Sequence, residues 1–527
     1  MLKTINLGIQ YGSRKLFQHV DLAFTKGNCY GIIGANGAGK STFLKVLSGE
    51  IESTEGEVLM DPNERMSVLK QDQHAYDNET VLRTVLLGHK RLIEVMEEKD
   101  KLYEKADFTD ADGIRASELE GEFAEMGGWE AESDAESLLS GLGVSDEYFY
   151  SLMGELDAKI KIKVLLAQAL FGNPDILLLD EPTNNLDYKS CEWLENFLLN
   201  FENTVLIVSH DRHFLNNVCT HICDVDYKKI KLYVGNYEFW YESSQLAKKQ
   251  AEDVNKKSEQ KIKELKEFIA RFSANKSKSK QATSRKKLLD KIVIEVITPS
   301  SRRYPFIGFK PEREVGNDIL FVEHLTKKGL FNDLSFTVRK NDKIAFLAEN
   351  TMQITALFNI LEGKDEDYEG SFKWGVTTKR GFLMQNNKEY FSSKENLIDF
   401  LRNYSPNEQN ETFIRGYLGR VLFTSDDALK SVDVLSGGER IRILFAKLML
   451  ECPNVLIFED PTNHLDLESI TSLNEGMNNY KGNILFSSHD HELLETVSNR
   501  IIKLNLDGTY EDKMQTYDEF MEGEING

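Results

Sequence analysis

The chain has 527 residues, of which 41% are hydrophobic and 28% are charged, which is enough for two or three packed domains. The N-terminal residues lack the apolar region of a signal peptide, and no run of about 18 apolar residues occurs anywhere. These features argue against export and against a membrane span. The five cysteines are scattered. Cys219 and Cys223 flank His221 in a pattern typical of a buried strand, which favours core packing over metal binding. We expect a cytoplasmic protein.

The net charge of −22 conceals an opposite local balance. Residues 248–303 carry 17 Lys and Arg side chains against 7 Asp and Glu side chains, although the rest of the chain is strongly acidic. A basic segment inside an acidic protein indicates a localised element that binds an anion, rather than a general affinity for nucleic acid.

The first chemical motif is GANGAGKST, which stands between an apolar strand pattern and an apolar helix pattern. This is a P-loop, whose glycines allow successive backbone N–H groups to point at phosphates. Lys40 adds a charge near the terminal phosphates, and Ser41 offers a hydroxyl to Mg²⁺. The predicted ATP-binding residues here are Gly34, Ala35, Asn36, Gly37, Ala38, Gly39, Lys40, Ser41 and Thr42.

Two further side chains before residue 88 are candidates for the same site. Tyr11, near the first strand, is predicted to stack on adenine, the alternative being ordinary packing. Gln71 is predicted to contact both the metal ion and the attacking water. Beyond them, residues 88–135 have a charged, helical pattern that predicts a protruding arm.

The motif ILLLDEPTNNLD, residues 176–187, supplies the acids of a nucleotide site. Asp180 follows four apolar strand residues, and we expect it to hold the metal ion. Glu181 is predicted to orient the attacking water as the catalytic base. His210, at the end of the strand pattern TVLIVSH, is predicted to contact the γ-phosphate.

A polar helix is predicted over residues 241–272, followed by a short loop and a second helical stretch beginning at RKKLLDKI. This pattern predicts a helical hairpin with a basic tip, formed by Lys276, Lys278, Lys280, Arg285, Lys286 and Lys287. A solvated spacer is the alternative interpretation, but the positive excess favours contact with RNA phosphates.

The second half repeats the motifs of the first half at the same spacing. Glu181 to His210 and Asp460 to His489 both span 29 residues. The distance from Lys40 to Asp180 is 140 residues, but the equivalent distance in the second half is 105, so the first copy carries 35 extra residues. These are the residues that we assign to the arm.

GANGAGKST, the LSGGE motif at 435–439, LLLDEP and SHD together resemble the ATP-binding-cassette superfamily. Two copies on one chain and the basic linker FSANKSKSKQATSRKK resemble the ABC-F family in particular. The resemblance implies an α/β fold with two tandem ABC-type P-loop NTPase domains joined by a long helical-hairpin linker. The predicted domains are residues 1–240, 241–304 and 305–527.

The resemblance also implies that the two cassettes pair head to tail, within a chain that is otherwise monomeric. Each nucleotide then lies between the P-loop of one cassette and the signature motif of the other. The signature residues predicted to bind ATP are Ser436, Gly437, Gly438 and Glu439. In this family the linker enters the ribosomal exit site for tRNA, which implies ribosomal RNA and tRNA as partners.

The second cassette departs from the pattern at its P-loop. Its loop slot, AENTMQITA, has lost all three glycines and carries Ile354 in place of lysine. Its acids are exchanged: Glu459 is one methylene too long for the metal shell, and Asp460 is one methylene too short to reach the water.

The first cassette departs at its signature slot, where Asp157 and Lys159 stand in place of serine and glycine. We expect Asp157 to cap the next helix and to repel a γ-phosphate. Lys159 either compensates for that repulsion or points to solvent. Head-to-tail pairing brings both sets of defects into one composite site and leaves the other site complete.

The sequence therefore predicts a Mg²⁺-dependent ATPase that acts on the translating ribosome through one competent site. Two alternatives belong to other classes, and a third is a narrower function within the same family. The motor of a membrane transporter would need a coupling surface rather than a basic hairpin, and a nucleotide-dependent scaffold with little turnover would not need Glu181. Ribosome protection against antibiotics usually goes with a longer hairpin tip.

Overall fold

A computed structural model of the chain describes residues 1–12, 14–70, 72–105, 107–184, 186–272, 302–405, 408–424 and 426–525. Within these ranges each half of the chain contains a three-stranded antiparallel sheet and a six-stranded sheet that is parallel except at one edge. The predicted α/β fold with two tandem cassettes is confirmed.

The strands of the first half are β1 (Leu2–Tyr11), β2 (Arg14–Phe24), β3 (Cys29–Ile33), β4 (Glu55–Leu59), β5 (Met66–Val68), β6 (Ile176–Asp180), β7 (Thr204–Val208), β8 (His221–Asp226) and β9 (Lys229–Val234). They form a small sheet of order β2-β1-β4 and a large sheet of order β5-β6-β7-β3-β8-β9. The central strands β3 and β7 are buried along their whole length. Their continuous apolar sequences are those expected of parallel strands covered on both faces.

The helices of the first half are α1 (Lys40–Leu47), α2 (Val81–Leu86), α3 (Lys90–Tyr103), α4 (Asp110–Glu125), α5 (Ala131–Gly141), α6 (Ala158–Leu170), α7 (Tyr188–Leu199) and α8 (Arg212–Val218). The predicted arm segment contains α3 and α4, which pack against each other. Arg115 on α4 bonds Glu98 on α3 at 2.8 Å, and Thr109 and Asp112 form a capping box at the start of α4.

Helix α9 (Tyr237–Phe272) begins at Tyr237 rather than at the predicted Tyr241. The earlier start follows from Asn236, whose side-chain oxygen accepts a bond from the Phe239 N–H at 3.1 Å. The loop and the second half of the predicted hairpin lie outside the described residues, as do its six basic tip residues.

The strands of the second half are β10 (Leu320–Lys327), β11 (Phe331–Val338), β12 (Lys343–Ala348), β13 (Glu369–Trp374), β14 (Arg380–Leu383), β15 (Val455–Glu459), β16 (Asn483–Ser487), β17 (Arg500–Leu504) and β18 (Tyr510–Lys513). Its helices are α10 (Thr351–Glu362), α11 (Leu397–Arg402), α12 (Glu411–Arg420), α13 (Gly437–Glu451), α14 (Leu467–Asn479), α15 (His491–Val497) and α16 (Tyr517–Ile525). The sheet orders, β11-β10-β13 and β14-β15-β16-β12-β17-β18, repeat those of the first half. The sequence repeat is thus a repeat of topology.

Helices α8 and α15 bring the two halves into direct contact. Arg212 on α8 pairs with Glu492 on α15 at 2.8 Å, and the rings of His213 and His491 stack 4.0 Å apart. The Arg212 guanidinium also donates to the carbonyl of Leu467 at 3.1 Å. These contacts hold the halves so that cavities lined by residues of both lie between them.

Candidate functional site

One cavity between the halves has a volume of about 410 Å³ and is lined from both sides. The first half contributes the P-loop, with Lys40 and Ser41, together with Glu181 and His210. The second half contributes Gly437 and Gly438 of the signature motif, and three further lining residues, Thr462, His464 and Leu465. We call this cavity the first composite site.

The signature backbone lies close to the P-loop. A Cβ atom added to Gly438 would stand 3.7 Å from the side-chain nitrogen of Asn36 and 2.7 Å from the carbonyl oxygen of His464. Lys40 therefore faces the signature of the second half, and not Asp157 of its own half. This is the head-to-tail arrangement that a composite ATP site requires.

The P-loop has the backbone geometry that its glycines allow. Gly37 has φ 75° and Gly39 has φ 107°, both in the left-handed region that side chains rarely adopt. Helix α1 begins directly after Gly39, so its unpaired N–H groups point into the cavity. The loop can therefore present several backbone donors to one anion.

Lys40 is buried beside the loop, and its ammonium donates to the carbonyl of Gly34 at 2.7 Å. Burial lowers the Lys40 pKa, and the carboxylate of Glu181 opposes that shift. The buried Lys40 ammonium has lost water and donates to loop carbonyls instead. It is therefore suited to bind an incoming phosphate, whose oxygens would replace the lost solvation.

Glu181 follows strand β6 in a left-handed conformation, with φ 52°. Its N–H bonds the Val208 carbonyl at 2.8 Å, and its carboxylate accepts from the His210 N–H at 3.3 Å. His210 Nε2 is also 3.3 Å from the Glu181 carboxylate. The acid and the histidine are thus brought together by adjacent strands.

Burial sets the protonation of this pair. It raises the pKa of Glu181 to about 8, with Lys40 opposing and the neighbouring Asp180 adding to the rise. Burial also holds the pKa of His210 well below its ordinary value. A neutral imidazole beside a basic carboxyl is a suitable arrangement for accepting a proton from water.

The signature motif begins helix α13. Ser436 is its N-cap and forms a capping box with Glu439, whose carboxylate accepts from the serine hydroxyl at 2.8 Å and from the serine N–H at 2.9 Å. The glycines that follow leave the positive end of the helix uncovered toward the cavity.

A second cavity between the halves, of about 460 Å³, contains the divergent residues. It is lined by Asp157 and Lys159 from the first half and by Glu349, Thr351 and Asp460 from the second. We call it the second composite site. The altered signature residues, part of the P-loop slot and Asp460 thus line one cavity, whereas Ile354 and Glu459 are buried and do not line it.

The P-loop slot of the second half has lost the phosphate-binding geometry. Asn350 has φ −95° and caps helix α10 through its side chain, so the helix begins without a left-handed glycine. Ile354 is buried where the first half has Lys40. The Met352 N–H bonds the Asn350 side-chain oxygen at 3.1 Å and the Gln353 N–H bonds the Asn350 carbonyl at 3.0 Å, so these two backbone donors are used by the protein itself.

Protein–protein contacts replace ligand contacts at the second composite site. Lys159 is exposed and donates to the Thr351 hydroxyl across the interface, a contact that neither of its predicted alternatives included. Lys189 pairs with Glu349 across the same interface. Two cations of the first half thus bind the P-loop slot of the second.

The expectation that Asp157 caps helix α6 is wrong. It occupies the N-cap position, but its side chain makes no capping hydrogen bond. The residue three positions on is Ile160, which cannot return the bond that Glu439 returns to Ser436. The Asp157 carboxylate is exposed and leaves the first turn of helix α6 without a side-chain cap.

The exchanged acids are also engaged within the protein. Glu459 accepts from the Thr355 hydroxyl and from the Gln385 N–H, the latter at 3.0 Å. Burial raises its pKa. Asp460 lies 3.6 Å from His489, slightly farther than Glu181 lies from His210.

Some predicted residues are not among those lining the first composite site. Tyr11 ends strand β1 with 52% of its surface exposed, and its stacking role stays a prediction. Gln71 lies outside the described residues. Sequence reasoning missed Thr462 and His464, although their place in the DPTNHLD repeat, beside the paired acids, was a usable signal.

A family model described as ABC transporter matches residues 17–184 and 331–463, and a second model with the same description matches residues 223–309. The chain is 58% identical to the uncharacterized ABC transporter ATP-binding protein YkpA of Bacillus subtilis (strain 168), covering 99% of the chain and 97% of the relative. It is 43% identical to the probable ATP-binding protein YbiT of Escherichia coli O157:H7, covering 98% and 99%.

Among solved structures, the archaeal ribosome recycling factor aABCE1, in complex with the ribosomal stalk protein aP1, has the same twin-cassette fold. The TM-score is 0.64 at 17% identity, covering 99% of this chain and 92% of the other. The chain therefore belongs to the ATP-binding-cassette family. It is a twin-cassette ATPase, homologous to proteins of the ABC-F group. No helix in the described ranges has the length and apolar character to cross a bilayer.

Proposed function

We propose that this ATPase binds the ribosome near the tRNA exit site, in the cytoplasm, and modulates translation through ATP turnover at the first composite site. The observation that carries the proposal is the concentration of every intact motif in one cavity, with the P-loop of one half facing the signature of the other. ATP would join the halves there, and hydrolysis would release them.

The proposed roles are supported by the residues that line the cavity. Lys40 and the P-loop N–H groups would bind the phosphates, and the signature motif, whose Gly437 and Gly438 line the cavity, would contact the γ-phosphate through these glycines and Ser436. Glu181 accepts a proton from the attacking water, and His210 holds the Glu181 carboxylate in place.

The donor set fits Mg²⁺. Ser41 lines the cavity and Asp180 ends strand β6 beside Glu181, which supplies the oxygen ligands that this ion prefers. Ser41, Asp180 and Gln71 would hold the ion, and when bound it supplies positive charge to the phosphate oxygens. The P-loop and Lys40 supply the rest of the positive charge from the protein.

Two observations support the ribosome as partner. Residues 248–303 concentrate positive charge in an otherwise acidic chain, as expected of a segment that contacts RNA phosphates. The twin-cassette fold also occurs in a ribosome recycling factor, although identity at that level shows the fold alone. The tip residues Lys276, Lys278, Lys280, Arg285, Lys286 and Lys287 are the proposed RNA contacts.

The test is ribosome association of the full chain carrying Glu181→Gln. This substitution keeps the side-chain size but removes the base, so ATP should hold the halves together and retain the protein on sedimenting ribosomes. Asp460→Asn, at the same position of the second half, is the matched control and should release as the parent does. The proposal fails if Glu181→Gln with ATP stays in the ribosome-free fractions.

Phosphate release in the presence of ribosomes separates the proposed function from its main rival. A scaffold with little turnover would bind ribosomes equally well with parent and Glu181→Gln chains and would release little phosphate from either. A ribosome-stimulated rate that Glu181→Gln abolishes would exclude the scaffold.

A further inference from the structure

Arg302, which stands at the end of the linker, is a buried arginine with partners in three parts of the molecule. Its guanidinium donates to Asp224 on β8 of the first half at 2.5 Å and to Glu468 on α14 of the second half at 3.0 Å. It also lies over the ring of Trp240, on α9, at 4.6 Å. Only 10% of its side chain is exposed.

This arrangement joins both ends of the linker. Trp240 lies in the first turn of α9, where the chain leaves the first half, and Arg302 lies where the chain approaches the second half. The cation–π contact holds the two ends together, and the ion pairs attach them to both cassettes.

The cluster adjoins the first composite site. The backbone of Val225, next to Asp224, packs on the start of the P-loop so closely that a Cβ atom on Gly34 would stand 2.6 Å from the Val225 carbonyl. The charges of Glu468 and Arg302 both reach Lys40, where they act on its pKa in opposite directions. The linker ends thus lie behind the loop that binds phosphate.

The repeat relates Glu468 of the second half to Lys189 of the first half, and this comparison indicates what a side chain at the Glu468 position contacts. Glu468 stands two residues after Asp466, as Lys189 stands two residues after Asp187. Lys189 crosses the interface to Glu349 in the P-loop slot of the other half. Glu468 makes the corresponding crossing at the first composite site, but its partner is the linker.

Because the Arg302–Glu468 ion pair is buried, removing only one of its two partners is costly. Glu468 is almost fully buried, and a buried carboxylate that loses its cation leaves an unpaired charge. Asp224 belongs to the first half and Glu468 to the second, so Arg302 can hold both bonds only when the halves are together. Closure at the ATP site therefore changes the number of ion pairs on Arg302.

We propose that Arg302 is a positioning residue that couples closure of the first composite site to the orientation of the linker. Asp224 and Trp240 keep Arg302 attached to the first half, and Glu468 engages it when the halves close. The inference rests on the proposed ATP site but not on the ribosome as partner.

The test uses Trp240 as a reporter in the full chain. Phe replaces Trp129, Trp193 and Trp374, and Glu181→Gln prevents turnover, so ATP titration reports on the surroundings of Trp240 alone. ATP should change the Trp240 emission saturably. Arg302→Ala and Glu468→Gln should each remove most of that change, and Arg302→Lys should retain part of it. Arg303→Ala, an exposed neighbour, is the matched control and should leave it intact.

A second measurement uses the chain with all of its tryptophans. Arg302→Ala and Glu468→Gln should lower kcat for ATP by about tenfold with little change in KM, because closure rather than initial binding is impaired. The double variant should be no slower than either single variant, since both remove the same contact. Arg303→Ala should match the parent.

The outcomes separate this inference from the proposed function. If equilibrium dialysis shows that the Glu181→Gln chain does not bind ATP, the assignment of the site fails and the coupling fails with it. If ATP binds but the Trp240 emission of Glu468→Gln responds as in its parent, the coupling alone is overturned. Additive losses in kcat would also overturn it.

Discussion

Glu181 and Asp460 occupy the same unusual backbone position in the two halves. Both directly follow a parallel strand of the large sheet and lie in the left-handed region, with φ 52° and 45°, and both are held there by an N–H bond to the neighbouring strand. This region disfavours side chains in general, but aspartate tolerates it better than glutamate. The same backbone conformation is therefore less favourable for Glu181 than for Asp460. The longer side chain of Glu181 has a use at the first composite site, where it is the proposed base.

The exchange of acids should be harmless to turnover. Asp460→Asn is expected to leave the ATPase rate within about twofold of the parent, because Asp460 lines the second composite site and not the first. Glu181→Gln should lower the rate by about 10²–10⁴-fold, as expected for loss of a general base. Steady-state phosphate release from the two purified variants compares them directly. A collapse in Asp460→Asn would mean that the second site takes part in hydrolysis.

Residue types alone revealed most of the first composite site. The P-loop, the paired acids and the signature motif have spacings that follow from strand and helix lengths, and the structure brings Lys40, Glu181 and Gly438 to one cavity. The contacts of Lys159 and Arg302 could not be predicted, because each depends on where a long side chain crosses between halves. Sequence separation gives no information about such a crossing.

Helices α8 and α15 form the element pair at the centre of the interface. Each begins at a buried aspartate, Asp211 or Asp490, whose carboxylate accepts from the N–H three residues on. Burial raises the pKa of Asp211 to about 6 and that of Asp490 to about 7. Asp211 adds to the rise at Asp490, together with Glu492, and Arg212 opposes it.

The sign of the pH dependence follows from that shift. Because the folded pKa of Asp490 lies above its unfolded value, ionisation weakens the fold progressively as pH rises toward 7, and the whole cost is present above that pH. Asp490→Asn removes the charge and keeps a good N-cap residue. The apparent Tm of this variant should exceed that of the parent by roughly 2–4 °C at pH 8, and the gain should shrink toward pH 5.

Thermal scans at a fixed heating rate, from pH 5 to pH 8, test this prediction. Asp507→Asn serves as the control, because Asp507 is an exposed residue in the β17–β18 turn whose pKa is lowered rather than raised. A pH-independent gain in Asp490→Asn would show that the cap, and not the charge, is responsible.

Capping limits how exactly the ends of helices can be predicted from the sequence. The polar helical pattern predicts a helix from Tyr241 to Phe272, whereas helix α9 begins at Tyr237. Asn236 begins the helix earlier through a single side-chain bond. Local caps of this kind shift helix ends by a few residues without changing the helical pattern itself.

At the scale of the whole molecule, the pairing of the halves separates intact from altered parts. The first composite site has a glycine-lined loop and a buried lysine, and the second has cross-interface contacts from Lys159 and Lys189 in their place. The acid exchange, the lost glycines and the altered signature are therefore changes to one site, although the residues that carry them lie in both halves.

The stoichiometry of ATP binding tests this separation. Equilibrium dialysis of the Glu181→Gln chain should give one ATP per chain, since the P-loop slot of the second half has neither the lysine nor the glycines of the first. Adding Lys40→Ala should lower the affinity by about tenfold or more, because a charge-assisted contact is lost. Adding Ile354→Ala instead should leave the stoichiometry at one. Two ATP molecules per chain would refute the assignment.

The cross-interface bonds of Lys159 and Lys189 have a mechanical consequence. They require no nucleotide, so their strength is the same before and after hydrolysis, whereas the opposite flank is joined by ATP itself. We therefore expect loss of the terminal phosphate to separate the halves mainly at the first composite site, with the second composite site as the pivot. Trp240 and Arg302 adjoin the first composite site, so a small rotation there would give the largest displacement at the far end of helix α9.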